Sequence, residues 1–216
     1  MTKILCFGDS ITLGEKDDKR GGWADRLKTL FIHQYVDTNY QAVTLYNLGV
    51  AGETSDGLIR RFKTELNARR MKNDKTIVIF FYGANDVVIR KEKNTVPTTY
   101  YKRNLSECIK LAHSFNAEVL ILSPLPVSEK VDGKLNQYNQ LLFNRDLVEY
   151  QQVVQQLSVE FNCCYLDIYS LFTQNNKESL LSSDGIHPNA KGHELLYKAI
   201  NNQLSLMRGL NDNKAY

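Results

Sequence analysis

No stretch of the chain approaches the ~18 consecutive apolar residues that a membrane-spanning helix requires. The longest apolar run, Ile77 to Tyr82, has the length of a buried strand, so no membrane span is read from it. Excess charge of one sign is missing as well. Against 27 Lys and Arg stand 24 Asp and Glu, and the resulting +3 gives no electrostatic footprint for nucleic acid or another polyanion. Only four cysteines occur: Cys6, Cys108, Cys163 and Cys164. None are spaced Cys-x-x-Cys, and two adjacent cysteines are a poor start for a disulfide or a zinc site, so buried or semi-buried free thiols are expected. The first ten residues, Met1 to Ser10, lack the apolar core of a secretory signal, and the expected location is cytoplasmic.

Several motifs are also missing. The segment Gly49-Val50-Ala51-Gly52 is not Gly-x-Gly-x-x-Gly, and no Gly-x-x-x-x-Gly-Lys-Ser/Thr is present, which removes the common nucleotide-binding loops. The Gly-x-Ser-x-Gly elbow of α/β-hydrolases and the His-Glu-x-x-His zinc motif are absent. His33, His113 and His193 stand in helical stretches without companion ligands, so they read as solvated or packing residues. Neither a metal nor a cofactor is expected.

With 43% hydrophobic and 24% charged residues, the 216-residue chain has the composition of a globular protein of one large domain, expected over 1–208 with a frayed tail over 209–216. Five short apolar runs read as strands: Lys3 to Phe7, Val43 to Leu48, Thr76 to Tyr82, Glu118 to Leu122 and Cys163 to Leu166. Between them apolar residues recur three and four apart. Trp23, Leu27, Leu30 and Phe31 make one such set, and Leu141, Leu142, Val148, Val153, Val154 and Leu157 another, as on helices packed by one face. Such alternation predicts an α/β fold, a three-layer α/β/α sandwich on a central five-stranded parallel sheet. Functional residues should then gather at the carboxyl ends of the strands, framed by loops at Glu15 to Gly22, Val87 to Pro97 and Pro124 to Lys134.

The first strand runs into Gly8-Asp9-Ser10, which places a hydroxyl on the turn at a strand end. That is a good position for a nucleophile, although Asp9 or Ser10 could equally cap the following helix. Far along the chain, Asp184-Gly185-Ile186-His187-Pro188 precedes a closing helix. In a turn of that kind the carboxylate can hold one imidazole nitrogen and leave the other to accept a proton from a hydroxyl. Two glycine-bearing turns, Asn47 to Thr54 and Gly83-Ala84-Asn85-Asp86, follow the second and third strands. The Gly52 amide and the Asn85 side chain are donors of the kind an oxyanion hole uses. Turn geometry for the glycines and helix capping for Asn85 and Asp86 remain open alternatives.

Taken together in order, Phe7-Gly8-Asp9-Ser10-Ile11-Thr12, Gly52 within Asn47 to Thr54, Gly83-Ala84-Asn85-Asp86 and Asp184-Gly185-Ile186-His187-Pro188 resemble the four blocks of the SGNH hydrolase superfamily, the GDSL-type esterases and lipases. Ile11 stands where the name-giving motif has Leu. The resemblance implies a flavodoxin-like sheet with Ser10 as nucleophile, His187 as base and Asp184 as its orienting acid. It further implies an oxyanion hole made by the Ser10 amide, Gly52 and Asn85. The expected activity is hydrolysis of esters or thioesters of small to medium acyl groups through an acyl-enzyme on Ser10. Deacetylation of an acetylated carbohydrate or metabolite is the alternative within enzymes, and an idle binding module the alternative outside them. Oligomeric state is left open. For the acyl pocket, the apolar start of the loop after Asn85, namely Val87, Val88 and Ile89, is the expected wall.

Overall fold

Along each central strand the side chains alternate between two separate sets of apolar partners, as a sheet covered on both faces requires. Leu5, Phe7, Val78, Phe80, Val119 and Ile121 enter one core, whereas Ile4, Cys6, Ile77, Ile79, Leu120 and Leu122 enter the other. The computed structural model describes residues 1–40 and 42–209. In chain order the elements are β1 (Thr2–Gly8), α1 (Ser10–Leu13), α2 (Gly22–Thr38), β2 (Val43–Gly49), α3 (Ser55–Arg69) and β3 (Lys75–Phe81). They continue as β4 (Ile89–Arg90), β5 (Lys93–Asn94), α4 (Thr98–Ser114), β6 (Glu118–Leu122) and α5 (Asn144–Glu160). The last are β7 (Cys164–Leu166), α6 (Ile168–Gln174), α7 (Lys177–Leu180) and α8 (Ala190–Met207).

The five long strands form one parallel sheet in the order β2-β1-β3-β6-β7. Helices α3, α4 and α5 cover one face through Leu58, Phe62, Leu105, Ile109, Leu147 and Leu157. On the other face α2, α6 and α8 bring Trp23, Leu27, Phe172, Leu196 and Ile200. Each such side chain, fully withdrawn from water, contributes about 1.5–3 kcal/mol before entropy is counted. This is the three-layer sandwich expected from the sequence, and the five strands fall within two residues of the expected bounds.

Two expectations need amendment. The loop 87–97 contains a short antiparallel hairpin, β4 with β5. Leu141 and Leu142 do not start the fifth helix, which begins at Asn144; Leu141 instead forms an isolated bridge with Ile89. Gly209 follows α8 with φ +72, and the rest of the expected tail, 210–216, lies outside the described residues. Among the described residues no helix is long and apolar enough to cross a membrane. All four cysteines are free; Cys6 and Cys108 are buried, and Cys163 and Cys164 are half-buried.

The chain leaves β1 to either side: β2 pairs with one edge of it and β3 with the other. This reversal of strand order opens a crevice at the carboxyl ends of β1 and β3, the place where ligands bind in open α/β sheets.

Candidate active site

Asp9 ends the competition between capping and chemistry at the first turn. Its Oδ1 accepts from the Ile11 amide at 2.9 Å and caps α1, which leaves the Ser10 hydroxyl free to face the crevice. Gly49, at the end of β2, lets this one-turn helix sit close. A Cβ there would meet the Leu13 amide nitrogen at 2.2 Å.

Ser10 and His187 are 177 positions apart in the chain, yet Ser10 Oγ lies 2.8 Å from His187 Nε2. His187 Nδ1 lies 2.8 Å from Asp184 Oδ2, and all three residues are at most 8% exposed. Asp184 Oδ1 accepts from the Ile186 amide at 2.9 Å, the His187 amide at 3.0 Å and Ser182 Oγ at 2.7 Å. Burial pushes the Asp184 carboxyl up, but the hydrogen bonds from His187, Ile186 and Ser182 outweigh it and hold the group well below the usual carboxylate range. The acid therefore stays ionised beside the imidazole and fixes the proton on Nδ1, leaving Nε2 as acceptor for the Ser10 hydroxyl.

The two expected oxyanion donors border the same space. Gly52 has φ +74, a left-handed conformation that L side chains rarely adopt, and among the described residues its amide makes no backbone hydrogen bond. The Asn85 side-chain nitrogen donates to Asp9 Oδ2 at 3.1 Å and to the Glu53 carbonyl at 3.2 Å. That carbonyl is itself fixed. Glu53 takes a two-pronged bond from Arg61, at 2.7 and 2.5 Å, and accepts from Tyr82 Oη at 2.6 Å. A partly buried charge network thus anchors the chain beside Gly52 and supports Asn85 from below. Neither Asn85 nor Asp86 is the N-cap of a helix, but Asp86 Oδ1 accepts from the Ser55 amide and hydroxyl at the start of α3, at 2.9 and 2.6 Å.

A cleft of about 180 Å³ joins these groups. Ser10, Gly52, Asn85 and His187 line it, together with Ile11, Ala51, Ala84, Leu142 and Ile186 and the polar side chains of Glu15, Tyr138 and Gln140. Val87, Val88 and Ile89 are not among its lining residues. The chain turns back after Asn85, with the Val87 amide bonded to the Gly83 carbonyl and the Val96 amide to the Asp86 carbonyl, so Val87 and Val88 point into the protein and are at most 2% exposed. Ile89 is half-buried and bonds to the Leu141 carbonyl. Tyr138, Gln140 and Leu142, from the segment before α5, line the cleft instead. Nothing in the spacing of those residues signals a site, because the apolar pair Leu141-Leu142 continues into the pattern of α5. Glu15 falls in a loop expected to frame the site, and its carboxylate stands 3.8 Å from His187 Nε2. His193 is a packing residue, fully buried, bonded to the Trp23 amide and the Glu15 carbonyl. Among the described residues no group of three His, Cys, Asp or Glu side chains is placed to hold a metal ion.

All four of these segments fall within the stretch of the chain that a known family matches. The model of the GDSL-like lipase/acylhydrolase family matches residues 6–195. The chain belongs to that family. It is a GDSL-type, SGNH-fold enzyme that hydrolyses esters. The human isoamyl acetate-hydrolyzing esterase 1 homolog is 26% identical over 208 residues, which cover 90% of this chain and 78% of the human protein. In fold, the chain is similar to a lipase/acylhydrolase from Enterococcus faecalis (TM-score 0.73, 23% identity, the full length of both chains). It is also similar to an acetylxylan esterase from Geobacillus stearothermophilus, with a TM-score of 0.70, 23% identity, and coverage of 94% of this chain and 93% of that one.

The buried carboxyls of this GDSL enzyme make a testable demand on stability. Burial pushes Asp9 up to about 7 and Asp86 up to about 6, in each case against hydrogen bonds that favour the ionised form. An unfolded aspartate loses its proton near the ordinary value of 3.8, so between about pH 4 and pH 7 the native state holds protons that the unfolded chain has released. Stability from these two groups is full below that window and falls as pH rises through it. For Asp86 alone the difference is on the order of 3 kcal/mol, from about 1.36 kcal/mol per unit. Asp86→Asn keeps an oxygen for Ser55 and has no proton to lose. Relative to the native protein, its urea midpoint should rise between pH 4.5 and pH 8; an offset independent of pH would refute ionisation of Asp86 as the cause.

Proposed function

We propose that the protein is a metal-independent serine esterase that cleaves small acyl esters through an acyl-enzyme on Ser10. The observation that carries this reading is the unbroken chain from Ser10 Oγ through His187 to Asp184, with both links at 2.8 Å. Ser10 Oγ attacks the ester carbonyl carbon while its proton passes to His187 Nε2. The carbonyl oxygen becomes negative and is met by the Ser10 and Gly52 amides and by Asn85, which shares a hydrogen now given to Asp9 or Glu53. Collapse of this intermediate breaks the bond to the alcohol oxygen, which takes the proton from Nε2. Water then repeats the sequence on the acyl-enzyme and frees the acid.

The size of the cleft limits the acyl group. At about 180 Å³ it is little larger than a cavity of about 150 Å³ that holds one benzene ring, so two to four acyl carbons suit it. With purified protein and p-nitrophenyl esters, kcat/KM should be highest between acetyl and butyryl and at least about tenfold lower at octanoyl, since several methylenes would lack a wall. A rising profile out to octanoyl would contradict the pocket assignment. Thioesters of the same acyl groups fit the same chemistry and belong in the panel.

Deacetylation of a carbohydrate is favoured by one feature, the polar side of the cleft made by Glu15, Tyr138 and Gln140. Acetylated xylose would then outperform an apolar acetate such as 3-methylbutyl acetate in kcat/KM. A binding module without turnover would leave every ester in the panel intact.

A further inference from the structure

The segment Asn136-Gln137-Tyr138-Asn139-Gln140 belongs to none of the four sequence blocks, yet it places an aromatic ring against the catalytic imidazole. Tyr138 stands edge-on to His187, with ring centres 6.1 Å apart and planes at 87°. Its hydroxyl donates to Asp184 Oδ2 at 3.2 Å, the same oxygen that faces His187 Nδ1. The segment is a closed turn. Asn136 Oδ1 accepts from the Tyr138 amide at 2.8 Å and the Gln140 amide at 3.1 Å, and the Asn136 amide bonds to the Gln140 carbonyl at 3.0 Å. Asn139 completes it in the left-handed region at φ 56. Side chains carried by a turn locked in this way hold a wall rather than sample solvent.

Which half of the ester this wall meets follows from the proton path. On the serine esterase reading above, the departing alcohol must take its proton from His187 Nε2, so the alcohol lies beside the imidazole, whereas the carbonyl oxygen faces Gly52 and Asn85. Tyr138 touches His187 and Asp184 and lines the cleft, and at 44% exposure its ring stands between the imidazole and bulk water. We propose that Tyr138 is the specificity-determining residue for the alcohol half of the ester, narrowing the cleft beside His187 so that, among alkyl esters of similar reactivity, slender alcohols are favoured over bulky ones.

The test compares kcat/KM of the native enzyme, Tyr138→Ala and Tyr138→Phe on two series. One holds the acyl group fixed (ethyl, cyclohexyl and benzyl acetate), and the other holds the alcohol fixed (ethyl acetate, butyrate and hexanoate). Tyr138→Ala should raise the benzyl-to-ethyl acetate ratio at least about fivefold and leave the hexanoate-to-acetate ratio within about twofold, a differential worth one or two methylene contacts. Tyr138→Phe keeps the ring and loses the bond to Asp184, so it should keep both ratios. The proposal is overturned if Tyr138→Ala leaves the alcohol ratio unchanged, if it moves the acyl ratio instead, or if Tyr138→Phe shifts the alcohol ratio equally. Because the turn is held by Asn136 and not by the ring, the variants should fold; Tyr138→Leu, with an intermediate alcohol ratio expected, replaces Tyr138→Ala if that protein is insoluble. Labelling of Ser10 by a fluorophosphonate separates the two failures. A labelled native enzyme with unmoved ratios refutes only the role of Tyr138, and an unlabelled one that still hydrolyses esters refutes the serine reading.

Discussion

Ser10→Ala is expected to lower kcat by about a millionfold and to leave the thermal midpoint close to that of the native protein. The size of the loss follows from the chemistry. Removing the atom that must be acylated eliminates the covalent route, and only the oxyanion donors and substrate binding remain to act on water. The fold should tolerate the change because the hydroxyl's side-chain partner is His187, while the cap of α1 is made by Asp9 and the close approach over β2 by Gly49. Hydrolysis surviving in this variant at more than about a hundredth of the native rate would be incompatible with a covalent serine mechanism.

The second large effect concerns the two partners of Ser10. His187→Ala should cost about as much as Ser10→Ala, whereas Asp184→Asn should cost about ten-thousandfold. The reason lies in the bonds around the carboxylate. Oδ1 is pinned as an acceptor by the Ile186 amide, the His187 amide and Ser182, so an asparagine must keep its oxygen there and turn its NH2 toward His187. A donor would then face Nδ1, which would have to give up its proton, and Nε2 would carry the hydrogen that it needs to take from Ser10. The tautomer is wrong, but the imidazole remains in place. If Asp184→Asn proved as inactive as His187→Ala, or nearly as active as the native enzyme, this ranking would fail; comparison of kcat on p-nitrophenyl acetate decides it.

Most of the sheet was legible because its strands are short, β-branched and buried on both faces, so that runs such as Ile77 to Phe81 admit little else. The grouping of the candidate site residues was legible for a related reason. Ser10, Gly52 and Asn85 each stand just beyond a strand end, where the topology brings them together, and the spacing of Asp184 and His187 is local. The expected pocket wall failed because apolarity cannot tell a side chain that lines a cavity from one that fills the core. Val87 and Val88 read as a wall and are core, drawn inward by the turn that bonds Val87 to Gly83 and Val96 to Asp86. Tyr138 and Gln140 carry no local sequence signal because their position depends on long-range contacts: the reach of Tyr138 to Asp184 and the bridge from Leu141 to Ile89 span some 50 residues of sequence. Asp9 and the Glu53–Arg61–Tyr82 network, which hold Asn85, are likewise tertiary.

A Ser10 nucleophile activated by His187 should be open to covalent mapping. The native protein would be treated with diisopropyl fluorophosphate, its residual p-nitrophenyl acetate hydrolysis followed, and the adduct located by mass spectrometry of its peptides. A single phosphoryl adduct on Ser10 is expected, formed in step with loss of activity and absent from His187→Ala. An adduct on another residue, or ester hydrolysis that persists with Ser10 unmodified, would contradict it.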